Sequence, residues 1–285
     1  MGDLDPVAQL SRRFPEKRVF ITGAASGLGH ALARQFAREG WRLGVVDISQ
    51  QRLESTRSTL KQGGAHIVSA FCGDVGSESF VSSSVKSFAT EQGGLDIVIN
   101  NAGVGVAGTV EATPVEDWQW IVDINLLGPI WGCRAALPIM RRQHAGLIVN
   151  IASAAGFAAA PNMGAYNVTK AGVISLSETL AGEVADAGIQ VSCAMPGFFR
   201  SGLLDTMRAP QRERVIARRL MENSGHDAME AAHAILSGVS DGKLYIVWPG
   251  EYSVLWRVKR LLPLWFLSQT RKLTESQFQP AGAST

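Results

Sequence analysis

Two side chains that could share one chemical task, Tyr166 and Lys170, lie four residues apart in a stretch with a helical pattern. Residues at this spacing lie on the same face of a helix, one turn apart, so a phenol and an ammonium could reach the same ligand. A free phenol, with a pKa of about 10, is a poor base at neutral pH, but a nearby positive charge favours the phenolate. The pair could therefore act as an acid–base catalyst. Alone it is weak evidence, because tyrosine and lysine also occur at this spacing where the lysine is only a solvated charge.

A glycine-rich loop near the N-terminus gives this pair a chemical context. An apolar strand predicted at 18–22 leads directly into Gly23, and a helical pattern follows through Ala37. A strand, a glycine loop and a helix in this order are typical of a phosphate-binding site. Gly23 would permit the tight turn, Gly27 would let the backbone approach a pyrophosphate, and Gly29 would let the helix pack on its strand. A glycine-rich turn without a ligand is the alternative.

An acidic residue, Asp47, follows the second predicted strand, 43–46, about twenty residues after the glycine loop. Its carboxylate could accept hydrogen bonds from the ribose hydroxyls of an adenosine and would repel a 2′-phosphate. This position favours NAD over NADP. The alternative interpretation is an acid at a helix N-terminus. Arg42 and Arg52, which lie nearby in sequence, are typical of solvated charges at a strand edge and on a helix.

The elements that must position these residues alternate along the whole chain. Apolar runs that suit buried strands are separated by longer amphipathic stretches that suit helices. The predicted strands are 18–22, 43–46, 66–71, 95–99, 147–151, 189–194 and 243–248. Such alternation predicts an α/β fold with a doubly wound parallel sheet of seven strands. Ligands bind at the carboxyl ends of the strands in such sheets.

One long helix is expected between the fourth and fifth strands. Thr113 is placed to be its N-cap and Pro114 to be its first residue, and the pattern continues to about Arg142. The helix contains Asn125. Pro129 is expected to kink it, because proline cannot donate a backbone hydrogen bond.

Length and composition limit the possible classes. A chain of 285 residues suits one large α/β domain, and a formal net charge of +2 does not indicate a nucleic-acid partner. Cys72, Cys133 and Cys193 are far apart without metal-ligand spacing, so we expect buried free thiols in a reducing compartment and no metal site. The segment 1–16 contains no long apolar run, so we expect neither a signal peptide nor a transmembrane start.

Taken together, these motifs resemble the classical short-chain dehydrogenase/reductase family over roughly residues 17–248. Residues 22–29 fit its Thr-Gly-x3-Gly-x-Gly loop, and residues 100–103 fit its Asn-Asn-Ala-Gly turn. The catalytic tetrad of that family falls on Asn125, Ser153, Tyr166 and Lys170. The resemblance implies a Rossmann-like fold and an NAD(P)-dependent oxidoreductase that acts on CH–OH groups.

The resemblance also implies a role for each member of the tetrad. Tyr166 would take a proton from a substrate hydroxyl, or return it in the reductive direction. Lys170 would lower the pKa of Tyr166 and bind the nicotinamide ribose. Ser153 would hold and polarise the substrate oxygen. Asn125 would fix a water molecule that links Lys170 to solvent.

The cofactor implied is NAD, with NADP less favoured because of Asp47. Its contacts would be distributed along the carboxyl edge of the sheet. The resemblance assigns Gly23, Ser26, Gly27, Leu28 and Gly29 to the pyrophosphate, Asp47 to the ribose, Asp74 and Val75 to the adenine, Asn101, Ala102 and Gly103 to the centre of the cofactor, and Tyr166, Lys170, Pro196, Gly197 and Phe199 to the nicotinamide end.

The predicted organisation is an N-terminal lead (1–16), a catalytic domain (17–249) with a substrate lid at 202–226, and a C-terminal extension (250–285) that ends in a disordered tail, 276–285. The extension is basic and rich in aromatic residues. It could lie in a membrane interface through 250–270, although it is too short and too charged to span a bilayer. The alternative is a pair of short helices that cover the cleft or pack on a second subunit.

The lid and its surroundings are apolar, which favours a lipophilic alcohol, ketone or aldehyde over a sugar. The residues on which this expectation depends are Phe157, Met163, Phe198, Phe199, Leu203, Leu204, Met207, Val215, Ile216, Leu220 and Met221. We expect a cytoplasmic homodimer or homotetramer, with membrane association as a further possibility. Two other functions stay open at this point: a biosynthetic carbonyl reductase, and a binding protein without turnover that senses dinucleotides or is tethered to a membrane.

Overall fold

The computed structural model describes residues 5–277. One parallel seven-stranded sheet runs through the protein in the order β3-β2-β1-β4-β5-β6-β7, which confirms the predicted fold class. Its strands are β1 (Arg18–Thr22), β2 (Arg42–Asp47), β3 (Ile67–Cys72), β4 (Ile97–Asn100), β5 (Gly146–Ile151), β6 (Ile189–Pro196) and β7 (Tyr245–Trp248). The strand order reverses between β1 and β4, and a crevice opens at such a point beyond the carboxyl ends of the strands.

The described part of the chain contains twelve α-helices. They are α1 (Pro6–Arg13), α2 (Gly27–Arg38), α3 (Gln50–Gln62), α4 (Glu78–Gln92), α5 (Val115–Val122), α6 (Gly128–Gln143), α7 (Ala155–Ala158), α8 (Gly164–Glu183), α9 (Gln211–Glu222), α10 (Ala228–Ser240), α11 (Gly250–Leu261) and α12 (Pro263–Gln277). Helices α1, α2, α3 and α10 pack on one face of the sheet, and α4, α5, α6 and α8 pack on the other.

The central strand β1 shows why these sequences form buried strands. All five of its residues are buried, because helices cover both faces of the sheet. Successive side chains of a strand point to opposite faces. Val19 and Ile21 therefore join the core on one side, and Phe20 joins the core on the other, where its ring packs against Phe71 and Phe88.

The N-terminal lead contains a helix that the sequence analysis did not predict. Asp5 caps α1 by accepting a hydrogen bond of 2.9 Å from the backbone N–H of Val7, and Pro6 occupies the first turn. Val7, Leu10 and Phe14 are buried in the core beside α10. The lead is thus part of the catalytic domain's core. Residues 1–4 lie outside the described part of the chain.

The long helix expected between β4 and β5 is interrupted. Thr113 is not its N-cap: Pro114 holds that position, and the Thr113 hydroxyl donates to the carbonyl of Thr109 at 2.7 Å. A π-helical turn, Asp123–Leu127, separates α5 from α6. Pro129 has no N–H to donate to the carbonyl of residue 125, so the regular hydrogen-bond ladder cannot continue through this point. The irregularity therefore precedes the proline, and Pro129 itself sits in the first turn of α6.

The segments after β6 include those expected to form the lid and the extension. A short 3₁₀ turn at 202–205 lies beside Gly27 of the glycine loop and is followed by α9, and α11 and α12 follow β7. The function of 202–226 as a lid stays a prediction. Of the predicted disordered tail, residues 276 and 277 complete α12, and 278–285 lie outside the described residues. No helix among the described residues has the length and apolar character needed to cross a membrane. Cys133 and Cys193 are buried as expected, but Cys72 is exposed at the end of β3.

Candidate active site

A cleft of about 330 Å³ opens at the carboxyl edge of the sheet, where β1, β4, β5 and β6 end. It brings together most of the site residues that the sequence analysis selected. Those that line it are Gly23, Ser26, Gly27, Leu28, Asp47, Asp74, Val75, Asn101, Ala102, Gly103, Ser153, Tyr166, Lys170, Pro196, Gly197 and Phe199. Gly29 and Asn125 were also selected but are not among the residues that line the cleft.

The glycine loop forms a close-fitting turn between β1 and α2. Gly23 and Gly27 have positive φ angles of 64° and 50°, which glycine adopts without strain. A Cβ atom on Gly29 would overlap the carbonyl oxygen of Gly23, so only glycine fits where the helix meets the loop. Ser26 at the N-cap makes no side-chain bond to the first turn of α2. The N-terminal N–H groups of this twelve-residue helix are therefore left for an anion, which suits a pyrophosphate.

Thr22 and Asn101 tie the ends of β1 and β4 together beneath this loop. The Thr22 hydroxyl accepts hydrogen bonds from the backbone N–H groups of Asn101 (3.0 Å) and Ala102 (3.1 Å). The Asn101 amide donates to the carbonyl oxygens of Thr22 (2.9 Å) and Gly23 (3.1 Å). The side chain of Asn101 thus stabilises the conformation of the loop. Its hydrogen bonds are those of a turn residue more than those of a cofactor ligand.

Asp47, at the end of β2, is buried and accepts several hydrogen bonds. Its carboxylate receives the N–H groups of Ala25 (3.3 Å) and Ser49 (3.1 Å). It also pairs with the guanidinium of Arg52 at 3.1 Å, and Arg52 itself lines the cleft. Arg52 is expected to be a solvated charge, and its side chain is 42% exposed, but it also contacts Asp47 and lines the cleft. Its position five residues after Asp47, in the first turn of the next helix, was the signal that could have identified this contact.

Tyr166, Lys170 and Ser153 meet at the centre of the cleft. Helix α8 carries the tyrosine and the lysine, both buried, and Ser153 follows β5. The Lys170 Nζ donates to the carbonyl of Ile151 at 2.8 Å and lies 5.8 Å from the centroid of the Tyr166 ring. The Ser153 hydroxyl accepts a bond of 3.2 Å from the N–H of Ala155, which orients it after the strand.

Burial has the largest effect on the pKa values of Tyr166 and Lys170. It raises the pKa of Tyr166 to about 12, and a hydrogen bond with Ser153 lowers it only in part. Burial also lowers the pKa of Lys170 to about 8. The net pKa of the phenol is therefore raised by its desolvation, and a lowering effect of the Lys170 charge on it stays a prediction. At neutral pH the phenol holds its proton and Lys170 remains largely charged.

Asn125 lies in the π-helical turn and is completely buried. Its amide forms two hydrogen bonds with the backbone of Val104: the oxygen accepts the N–H at 2.8 Å, and the nitrogen donates to the carbonyl at 2.9 Å. A Cβ on Gly103 would lie 3.3 Å from the Asn125 oxygen and 3.6 Å from the Lys170 Nζ. Asn125 thus fixes the loop after β4 beside Lys170. Its expected role in holding a water molecule stays a prediction.

The half of the cleft beyond Tyr166 is apolar. Met163, Phe198, Phe199, Leu203, Met207 and Met221 line it as expected. Phe157, Leu204, Val215, Ile216 and Leu220 do not. Phe157 is buried in a separate cluster with Val173, and Val215 is 55% exposed on the outer side of α9. An amphipathic helix pattern shows which residues pack, but not whether they pack on the domain or on a ligand.

Tyr252 on α11 also lines this half of the cleft, and the sequence analysis did not assign it a role. Its ring packs against Gly197, where a Cβ atom would overlap it. Its hydroxyl bonds to the backbone of Phe198, and burial raises its pKa. The C-terminal extension therefore covers part of the cleft, which is one of the arrangements expected for it.

The model of a family described as short chain dehydrogenase matches residues 17–212. The 2-(R)-hydroxypropyl-CoM dehydrogenase of Xanthobacter autotrophicus is 33% identical over 245 residues, which cover 82% of this chain and 98% of that protein.

Two solved structures are also similar. A short chain dehydrogenase/reductase from Burkholderia phymatum in complex with NAD has a TM-score of 0.81 and 28% identity, covering 94% of this chain and 98% of the other. A short-chain dehydrogenase from Sphingobium yanoikuyae in complex with NADPH has a TM-score of 0.74 and 27% identity, with coverage of 94% and 98%.

Proposed function

The chain belongs to the short-chain dehydrogenase family of oxidoreductases, and on this basis we propose that it interconverts a lipophilic secondary alcohol and its ketone, with NAD as the hydride carrier. One observation carries the proposal. Ser153, Tyr166 and Lys170 meet in a cleft that has a glycine loop and a helix N-terminus on one side and an apolar wall on the other. The glycine loop and the helix N-terminus suit a dinucleotide, and the apolar wall suits a lipophilic substrate.

The residues present fit a dinucleotide. The open N-terminal N–H groups of α2 would hold its pyrophosphate, Asp47 would bind the adenosine ribose, and Asp74 and Val75 would border the adenine. Lys170 would bind the nicotinamide ribose. When bound, the oxidised dinucleotide supplies a hydride acceptor and a positive charge at the inner end of the cleft.

The chain's own residues would handle the proton. The Ser153 hydroxyl would hold the substrate oxygen beside the phenol of Tyr166, with which it already shares a hydrogen bond. In the reductive direction the phenol donates its proton to the developing alkoxide. In the oxidative direction it must first lose that proton, and the charge on Lys170 favours the resulting phenolate.

The carbonyl reductase considered above is a second candidate, and one observation favours it. Burial keeps the phenol of Tyr166 protonated at neutral pH, since its pKa is raised to about 12. A protonated phenol is ready to act as the acid that reduction requires. The direction of the reaction in the cell therefore depends on whether the oxidised or the reduced dinucleotide is supplied, as well as on the protonation of Tyr166.

The raised pKa gives the two directions different pH profiles. We expect kcat/KM for carbonyl reduction to stay level from neutral pH to about pH 8, because the phenol remains protonated far below its pKa of about 12. For alcohol oxidation kcat/KM should rise with pH over the same range, because more phenolate forms. Initial rates in both directions in one buffer series test this. An oxidation rate that falls as the pH rises would contradict the assignment of Tyr166 as the proton acceptor.

The proposed preference for NAD rests on the carboxylate of Asp47. Arg52 beside it could bind the 2′-phosphate of NADP if that carboxylate were removed. In Asp47→Ser the guanidinium of Arg52 loses its carboxylate partner and could pair with a 2′-phosphate. We expect the ratio of kcat/KM for NADP to that for NAD to increase by roughly a hundredfold. Steady-state kinetics with both dinucleotides and one alcohol measure the change.

A matched double variant isolates the role of the arginine. Asp47→Ser with Arg52→Gln removes both charges, so most of the gain with NADP should disappear. If the unaltered protein already prefers NADP, the argument from Asp47 fails. If the double variant keeps the full gain, Arg52 does not bind the phosphate.

The substrate class rests on the apolar lining of the cleft. Purified protein should be tested with NAD against straight-chain secondary alcohols of increasing length and against sugar alcohols. We expect kcat/KM to increase with chain length, because each buried methylene contributes about 0.8 kcal/mol. Activity on sugars alone would contradict the lipophilic substrate. Dinucleotide binding without turnover of any alcohol or ketone would favour a sensing protein.

We also propose a homodimer or homotetramer in the cytoplasm. The three free cysteines in the described residues suit a reducing compartment. Light scattering on the purified protein measures the number of subunits.

A further inference from the structure

The two C-terminal helices present an apolar face to solvent. Six large apolar side chains in this region are more than half exposed: Val254, Leu261, Leu262, Leu264, Trp265 and Leu273. Other exposed apolar side chains in the described residues, such as Val110 and Val115, occur elsewhere in the fold without such a concentration. Exposed apolar side chains concentrated in this way mark a site of interaction. We call these six residues the C-terminal apolar face.

The same two helices are rich in basic side chains. Within 250–277 there are five lysines and arginines but only two acids, Glu251 and Glu275, which leaves a net charge of +3. Glu275 is paired with Arg271 at 2.6 Å. Arg257 and Lys272 are exposed, and the guanidinium of Arg260 lies 4.9 Å from the Trp256 ring centroid. Exposed apolar and positively charged side chains thus occur on the same two helices.

The inner sides of the same helices are fixed to the protein. Tyr252 packs on Gly197, and the ring of Trp256 lies 5.0 Å from that of Tyr245 on β7. Phe266 of α12 is only 6% exposed, and Lys259 of α11 lies 5.6 Å from its ring centroid. Helix α11 thus packs on the domain and α12 packs on α11, and the C-terminal apolar face lies outside these contacts.

We propose that the C-terminal apolar face binds peripherally to the surface of an anionic phospholipid bilayer. Apolar side chains flanked by lysine and arginine are the composition of helices that lie in the headgroup region. Helices of 12 and 15 residues are too short to cross a bilayer, so the contact is interfacial. A second copy of this chain is the less suitable occupant. An isologous contact would place the same positively charged face of both subunits together.

The position of α11 links this surface to the cleft. Tyr252 lines the cleft, while Val254, two residues later and so on the opposite side of the helix, is 58% exposed. If the substrate is lipophilic, which rests on the proposed function, it would meet the cleft close to the bilayer. The membrane contact itself does not depend on turnover, so the two proposals can fail separately.

Vesicle flotation of the full-length protein tests the proposal. We expect the protein to float with vesicles of phosphatidylcholine and phosphatidylglycerol, and to float much less with phosphatidylcholine alone or in high salt. Each basic residue near an anionic surface contributes about a fivefold gain in binding, so Arg257→Gln with Lys272→Gln should weaken partitioning by roughly twenty-five-fold. Leu261→Ser, Leu264→Ser and Trp265→Ser together should abolish flotation.

A matched control replaces exposed apolar residues elsewhere: Val110→Ser with Val115→Ser, which are 68% and 69% exposed, should leave flotation unchanged. All variants should oxidise a short, water-soluble alcohol at the rate of the unaltered protein. The proposal is overturned if the unaltered protein does not float, or if the serine triple variant floats like the control. Light scattering gives a second outcome that would overturn it. If the unaltered protein binds no lipid and the serine triple variant has half the mass of the unaltered protein, the C-terminal apolar face is a subunit interface.

Discussion

Tyr166→Phe should lower kcat in both directions by about a hundredfold to ten-thousandfold, the usual contribution of a positioned acid or base. The substitution removes only the phenol oxygen. The ring, which is 8% exposed and packed in the core beside Ala165, keeps its place. The affinity for NADH should therefore stay within about threefold of the original, because no packing contact is lost. Steady-state rates and a fluorescence titration with NADH measure the two quantities on one preparation.

Tyr245→Phe is the matched control for this substitution. The Tyr245 hydroxyl donates a hydrogen bond of 2.6 Å to Glu178 and lies outside the cleft. Losing it should leave turnover unchanged. If Tyr166→Phe retained more than about a tenth of the original kcat, another group would have to supply the proton. If it lost NADH binding and turnover together, Tyr166 would have a structural role.

Gly29→Ala should weaken NADH binding by about tenfold to a hundredfold and lower the melting temperature. The added Cβ would overlap the carbonyl of Gly23 and the amide of Asn101. Neither can move freely, because the Asn101 amide is bonded to the backbone of β1 and the glycine loop. Forcing an extra carbon into such a contact costs about 1–3 kcal/mol. Isothermal titration with NADH and thermal unfolding measure the two effects.

Gly182→Ala provides the matched control within a helix. No atom lies within 4 Å of a Cβ built on Gly182, near the end of α8. Because alanine is favoured over glycine in a helix by about 1 kcal/mol, this variant should be at least as stable as the original protein and bind NADH equally well. Equal losses of binding in both variants would show that the tight fit at Gly29 is not what shapes the cofactor site.

The sheet could be predicted from sequence because its signals are local. Each strand is a short apolar run between turn residues, and both faces of a parallel sheet are covered, so the run needs no alternation. Val19, Phe20 and Ile21 show this: all three are buried, on alternating faces. The glycine loop was equally clear, since its residues follow directly on a strand.

The errors arose where a residue's effect depends on its hydrogen-bond partner. Pro129 was expected to kink a helix at its own position, but the missing N–H acts one turn earlier and produces the π-helical turn that carries Asn125. Thr113 has the type of an N-cap, yet its hydroxyl bonds backward to Thr109. Residue type alone did not distinguish the two outcomes.

Within the site, the sequence could not show contacts between distant segments. Tyr252 reaches the cleft from an extension that follows the last strand, and only the folded chain places it on Gly197. Burial is also a property of the fold. The spacing of Tyr166 and Lys170 predicted a lowered pKa for the phenol, whereas the depth of the cleft raises it to about 12.

The central claim is that a hydride moves from a secondary alcohol to NAD beside Tyr166. The most direct test is to supply a long-chain 2-alkanol that carries deuterium on its hydroxyl-bearing carbon and to analyse the reduced dinucleotide by mass spectrometry. We predict that the unaltered protein yields NADH that contains one deuterium, and that Tyr166→Phe yields almost none. Reduced dinucleotide without deuterium, or equal labelling by both proteins, would contradict the claim.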